Sequence, residues 1–130
     1  MKPGAAEPLD PALIEGYHAH IYYDPKATRA DAEAIRAEIA AAGFEARLGN
    51  WHDELVGPHL RAMYQVAFPV PEFPRLVPWL ALNRRGLSVL VHPLTGDDYA
   101  DHAIFAMWLG AALPLKLDFL SRGRFSGTVA

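Results

Sequence analysis

The chain contains no cysteine. That excludes disulfides and every thiolate metal site, so any metal would have to be held by imidazole and carboxylate. The same absence is compatible with any compartment and leans only slightly toward the cytoplasm, which is the expected location. Long apolar runs are missing too: none reaches the ~18–20 residues that a membrane helix needs. Basic charge is not in excess, since 12 Lys and Arg stand against 15 Asp and Glu, for a formal charge of −3. Such a balance provides no field for nucleic acid or for an anionic lipid surface. Glycine-rich phosphate loops are lacking, because Thr95-Gly96-Asp97 reads as a turn. No nucleophile elbow marks a Ser/His/Asp triad.

What is present suits one folded domain. Apolar residues make up 52% of the 130, enough for a real core and too many for a disordered segment. Residues 1–15, with Pro3, Pro8 and Pro11 beside Glu7 and Asp10, lack the basic-then-apolar layout of a signal peptide and read as a flexible leader. Residues 16–130 then form a single domain. Within it, six histidines stand out.

The elements follow from periodicity and punctuation. Tyr17 to Tyr23 is aromatic and β-branched, and it ends at the Asp24-Pro25 turn signal, so it is a strand. Thr28 with Asp31 resembles a capping box. Ala32, Ile35, Ile39 and Ala42 then recur at helical spacing, up to a stop at Gly43. Phe44 to Leu48 is a short strand, residues 49–58 a loop, and Leu60 to Phe68 a third strand. Phe73, Leu76, Val77 and Leu80 mark a second helix, with Pro74 in its first turn and a distortion expected at Pro78. Leu87 to His92 is a fourth strand. His102 to Leu109 reads as either a fifth strand or a short helix. The order βαββαβ plus an irregular C-terminal extension predicts an α+β, ferredoxin-like sandwich. Helices cover one sheet face, and the other needs a partner, a ligand or the tail. Trp51, Trp79 and Trp108 read as core anchors.

Strand side chains alternate between faces. The greasier set of each strand belongs under the helices, which leaves His18, His20 and Tyr22 on the open face with His92. In this topology the first strand lies between the third and fourth, antiparallel to both, so His92 neighbours His18. Residues two apart on one strand face are about 6.6 Å apart along the axis, and imidazoles at that spacing can lean toward one ion. His18, His20 and His92 are therefore the candidate metal cluster. A proton-transfer site, a histidine-lined dimer contact and a packing role are the alternatives. His59, in Val-Gly-Pro-His, suits either a site rim or a plain tight turn, and Arg61 lies near it on the same face. His52 falls in a polar loop and reads as solvated. His102 is either tuned by Asp98 or Asp101 or exposed in a turn.

These residues fall into a recognisable set. Tyr17-His-Ala-His-Ile-Tyr-Tyr-Asp24, Val56-Gly-Pro-His59, Val89-Leu-Val-His-Pro-Leu-Thr-Gly96, Asp101-His102 and Trp108-Leu-Gly110 occur in order over nearly the whole chain. Together they resemble the DOPA 4,5-dioxygenase family of small extradiol ring-cleaving enzymes. The resemblance implies a ferredoxin-like fold, a homodimer, and Fe(II)-dependent cleavage of a DOPA-like or other catechol by O2. On that reading His59 or His102 moves a proton, and Arg61 pairs with an acidic substituent of the substrate. Non-haem oxygenases commonly use two histidines and a carboxylate, yet no open-face strand position is acidic. Glu54, Asp97 or Asp98 would have to supply the acid from loops, or the site is all-histidine. Two competing classes share the same face: a non-enzymatic dimeric module binding a small molecule or metal, and a cofactor-free monooxygenase-like dimer.

Overall fold

The structure is a computed structural model that describes residues 7–127. The expected leader therefore falls partly outside the described residues. Of its remainder, Pro11–Leu13 forms a 3-10 turn, with the Asp10 carboxylate accepting from the Ala12 N–H (2.9 Å). Among the described residues no helix is long and apolar enough to cross a membrane.

Five strands and three helices follow: β1 (Tyr17–Tyr23), α1 (Arg29–Ala41), β2 (Arg47–Leu48), β3 (Ala62–Phe68), α2 (Phe73–Asn83), β4 (Val89–Pro93), α3 (Asp98–Ala103) and β5 (Met107–Leu109). The sheet order is β2-β3-β1-β4-β5, and every pairing is antiparallel. The first four strands make the expected α+β, ferredoxin-like βαββαβ arrangement, and β5 adds a strand beside β4.

Each element has a local cause. In α1, Ala32, Ile35 and Ile39 are buried at helical spacing, and Gly43 leaves the helix at φ +74, where a side chain would be strained. The capping box is not made. The Thr28 hydroxyl instead accepts from the Asp24 N–H (2.7 Å), closing the preceding turn. β2 is shorter than expected because the Glu45 N–H is drawn off to the buried Glu72 carboxylate (2.5 Å) rather than to the sheet. α2 runs through Pro78, which is exposed, while Leu76 and Leu80 are buried. The segment expected to be either a helix or a strand is both: α3, then β5.

The core lies between the helices and one sheet face. Ala19, Ile21 and Tyr23 of β1, Tyr64, Val66 and Phe68 of β3, and Val89 and Val91 of β4 pack there with Ile35, Ile39, Leu76 and Leu80. Burial of this apolar surface, at about 25 cal/mol per Å², fixes which way the strands face. A one-residue slip would put every histidine of β1 into the core. On the opposite face the tail covers one part: Tyr22, Met63 and Leu90 pack against Ala106, Trp108, Leu113 and Leu115. The rest of that face carries the histidines.

Candidate metal centre

β1 and β4 set the first part of the site. His18 and His92 are direct cross-strand partners, and His20 sits two residues along the same face of β1. Ring centroids are 5.3 Å apart for His18 and His92, 6.0 Å for His18 and His20, and 5.1 Å for His20 and His92. The three offer nitrogens that all lie within 4.8 Å of one another.

His59 and His102 reach the same place from outside these two strands. His59 precedes β3, which begins at Ala62 rather than Leu60. It does not stay at a rim: it is buried, with its ring 4.3 Å from that of His20. The tail secures it there, since His59 forms a bridge with Leu115 and the Pro58 carbonyl accepts from the Lys116 N–H (2.7 Å). His102 is carried on α3, half-buried, with its ring 4.0 Å from that of His92. His20, His59 and His102 form a second set whose nitrogens lie within 4.8 Å of one another.

Hydrogen bonds fix which nitrogens face inward. A carbonyl oxygen only accepts, so a ring nitrogen bonded to one carries the hydrogen. His92 Nδ1 donates to the Pro93 carbonyl (2.9 Å), and His102 Nδ1 donates to the Asp98 carbonyl (2.8 Å). A neutral ring so held leaves Nε2 bare. Orientation of one imidazole nitrogen by a carbonyl is the usual companion of metal ligation by the other. His59 Nδ1 lies 2.7 Å from the Tyr22 hydroxyl, both groups buried. Burial raises the Tyr22 phenol well above its ordinary value, so it stays protonated.

Four of the five rings are held neutral. Burial is the first cause for each of four rings and the neighbouring imidazoles add to it. His20 is pushed well below its ordinary value, His92 to about 3 and His59 to about 4, and His18 is also lowered. Neutral imidazole is the form that binds a metal ion. Two further facts fit a cation. His20 Nε2 and His92 Nε2 lie 3.0 Å apart, about the separation of two adjacent nitrogen ligands of one ion at ~2.1 Å each. His20 Nδ1 is buried with no hydrogen-bond partner, an expensive state for a polar atom.

No carboxylate belongs to either set among the described residues. Asp97 is buried but committed elsewhere. It caps α3 by accepting from the Ala100 N–H (3.0 Å) and takes the N–H groups of Phe125 (2.8 Å) and Ser126 (2.6 Å) as well as the Ser126 hydroxyl. Burial would raise its carboxyl, but these bonds outweigh that and hold it at about 2. Asp101 is also buried and binds the Thr95 hydroxyl and N–H. Asp98 and Glu54 are exposed. His102 is therefore oriented by the backbone of Asp98 and not by a carboxylate. Arg61, expected beside His59 on a strand face, lies before β3 begins and is exposed. It lines a cavity of about 220 Å³ with Tyr22, Tyr23, Thr28, Ser88 and Leu113, with no histidine in its wall. His52 is half-buried and bridges to Met63 outside both sets. A roomier cavity of about 390 Å³, lined by Leu13, Ile14, Tyr17, Phe73, Phe105 and Phe125 among others, is apolar and also holds none of the histidines. The titratable chemistry, not the cavity size, marks the site.

Residues 17–119 match the Dopa 4,5-dioxygenase family. A 21.2 kDa protein of Botryotinia fuckeliana, itself uncharacterised, is 37% identical over 130 residues, covering 89% of this chain and 69% of that protein. A DOPA 4,5-dioxygenase of Amanita muscaria is 31% identical over 111 residues, covering 80% of this chain. The match takes in 49% of the Amanita enzyme, so this chain spans about half of its length. Among solved structures, a candidate dioxygenase from Nostoc punctiforme superposes with a TM-score of 0.81 at 51% identity, covering 85% of this chain and 95% of that one.

Proposed function

Because the chain belongs to the Dopa 4,5-dioxygenase family, we propose that it is a non-haem Fe(II)-dependent extradiol dioxygenase that opens the ring of a DOPA-like or other catechol with O2. The observation that carries this reading is the convergence of five imidazoles on the sheet face away from the helices. His18, His20 and His92 are the residues that would hold the iron. When bound, the iron acidifies the catechol hydroxyls and brings catechol and O2 to one point.

The chain's own residues supply the rest. The Pro93 carbonyl keeps His92 Nε2 turned toward His20. His59, neutral and buried, accepts a catechol proton and later returns it, with Tyr22 holding its far nitrogen. His102, the other proton carrier, is steadied by the Asp98 carbonyl. Leu90, Met63 and Trp108 beside the cluster keep bulk water away and so strengthen each polar contact. Arg61, at the cavity on the other side of Tyr22, takes the acidic substituent of the substrate. A homodimer completes the proposal.

The test is direct. The protein is loaded with Fe(II) without oxygen, mixed with DOPA or catechol, and then given air. Oxygen uptake with a yellow ring-opened product is expected. Full iron loading with neither uptake nor product would reject the oxygenase in favour of a binding module.

A further inference from the structure

We propose that the five histidines form two overlapping cation stations with His20 in common, and that a single divalent cation occupies either one. This deepens the metal-centre reading above and rests on it. One station is His18, His20 and His92; the other is His20, His59 and His102. Both meet the same closeness, and each contains an imidazole whose Nδ1 is tied to a backbone carbonyl, which leaves Nε2 as the nitrogen open to an ion: His92 in the first and His102 in the second. His20 is the shared member. Its Nε2 faces His92 Nε2 at 3.0 Å, and its Nδ1 is buried without a partner. The ring is stacked on His92 at 5.1 Å and tilted against His59 at 4.3 Å by centroid, so it adjoins a member of each set.

Simultaneous occupation is ruled out by charge. Neither set contains a carboxylate among the described residues. Two dications on one buried, neutral ring would repel strongly at low dielectric, with nothing to offset them. One ion per chain follows, with the histidines of the vacant station left free to carry protons. The arrangement makes the two stations redundant for retention while His20 is indispensable.

The experiment is a double-mutant cycle on Fe(II) binding without oxygen, read as iron per chain and as affinity by chelator competition. His18→Ala removes a ligand from the first station and His102→Ala one from the second. Both positions are half-buried, and a thermal melt verifies folding of each variant. The wild-type chain should bind one Fe(II). Each single variant should still saturate at one, weaker by less than about tenfold, while the double variant should lose at least about a thousandfold, beyond the roughly hundredfold ceiling that the product of the singles sets. If one single variant is already as weak as the double, only one station exists and the inference fails, although the metal-centre reading stands. If the double variant binds like wild type, the inference fails as well. If the wild-type chain binds no Fe(II), both fall together. His20→Gln offers a second check: it should abolish binding by a chain that still melts cooperatively, and retention of one Fe(II) would overturn the shared role.

Discussion

At the scale of single residues, strand alternation carries most of the information about the site. Period-two geometry alone puts His18, His20, Tyr22 and His92 on one face, and the ferredoxin-like order makes His18 and His92 neighbours. The hydroxyl of Tyr22 is a different matter, because its partner, His59, is 37 residues away and precedes a strand. Nothing local signals that pair. Tyr22→Phe keeps the ring, its stack on Trp108 (5.8 Å) and the packing against Met63, but leaves a buried imidazole nitrogen unpaired. Unfolding in urea should show a loss of about 1–3 kcal/mol. Nitrogen NMR should show His59 redistributing between its two tautomers, while iron per chain is unchanged. An unaltered His59 spectrum would mean that the contact does not set the tautomer.

At the scale of elements, β1, both long helices and the pairing order are legible because each is a periodic segment with its own punctuation. α3 and β5 are not. The helix spans six residues and the strand three, too short for a period to assert itself, and α3 depends on distant groups. Asp97 caps it and at the same time anchors residues 125 and 126. In the sequence Asp97 is open as a metal ligand, because an acid in a Gly-Asp turn looks the same whether it faces an ion or a chain of N–H groups. Asp97→Ala removes the cap and the partner of three tail donors together. It should cost about 2–4 kcal/mol in urea unfolding, with faster proteolysis of the C-terminal segment. Because α3 carries His102, it should also weaken Fe(II) binding; Asp97→Asn, which keeps some acceptor capacity, should do less of both. Stability equal to wild type in the alanine variant would show that α3 is held by packing alone.

At the scale of the molecule, one sheet separates two kinds of burial. The helix side removes apolar surface from water and holds the fold. The other side removes imidazoles from water, and this is tolerated because they are uncharged. That makes stability depend on pH in a definite direction. His59 and His92 have folded values near 4 and 3, with burial as the main cause, against an ordinary value near 6.5. Between these limits the unfolded chain binds more protons than the folded one, so stability rises with pH there. The contribution is complete above about pH 6.5 and is lost as the pH falls toward 4 and then 3. Going from pH 7 to pH 5, each of the two groups should withdraw about 2 kcal/mol from the metal-free protein. Urea unfolding measured at both pH values should show that loss, and the loss should be about 2 kcal/mol smaller in His59→Gln, which cannot titrate at that position. Saturating Fe(II) should add stability at pH 7, about 2.7 kcal/mol at a hundred times the dissociation constant. It should also steepen the acid loss, because protons and cation then compete for the same nitrogens. A metal-free midpoint that stays flat from pH 7 to 5 would mean that the imidazoles accept protons in the folded state, and the cluster would then be a solvated patch with no claim to a cation.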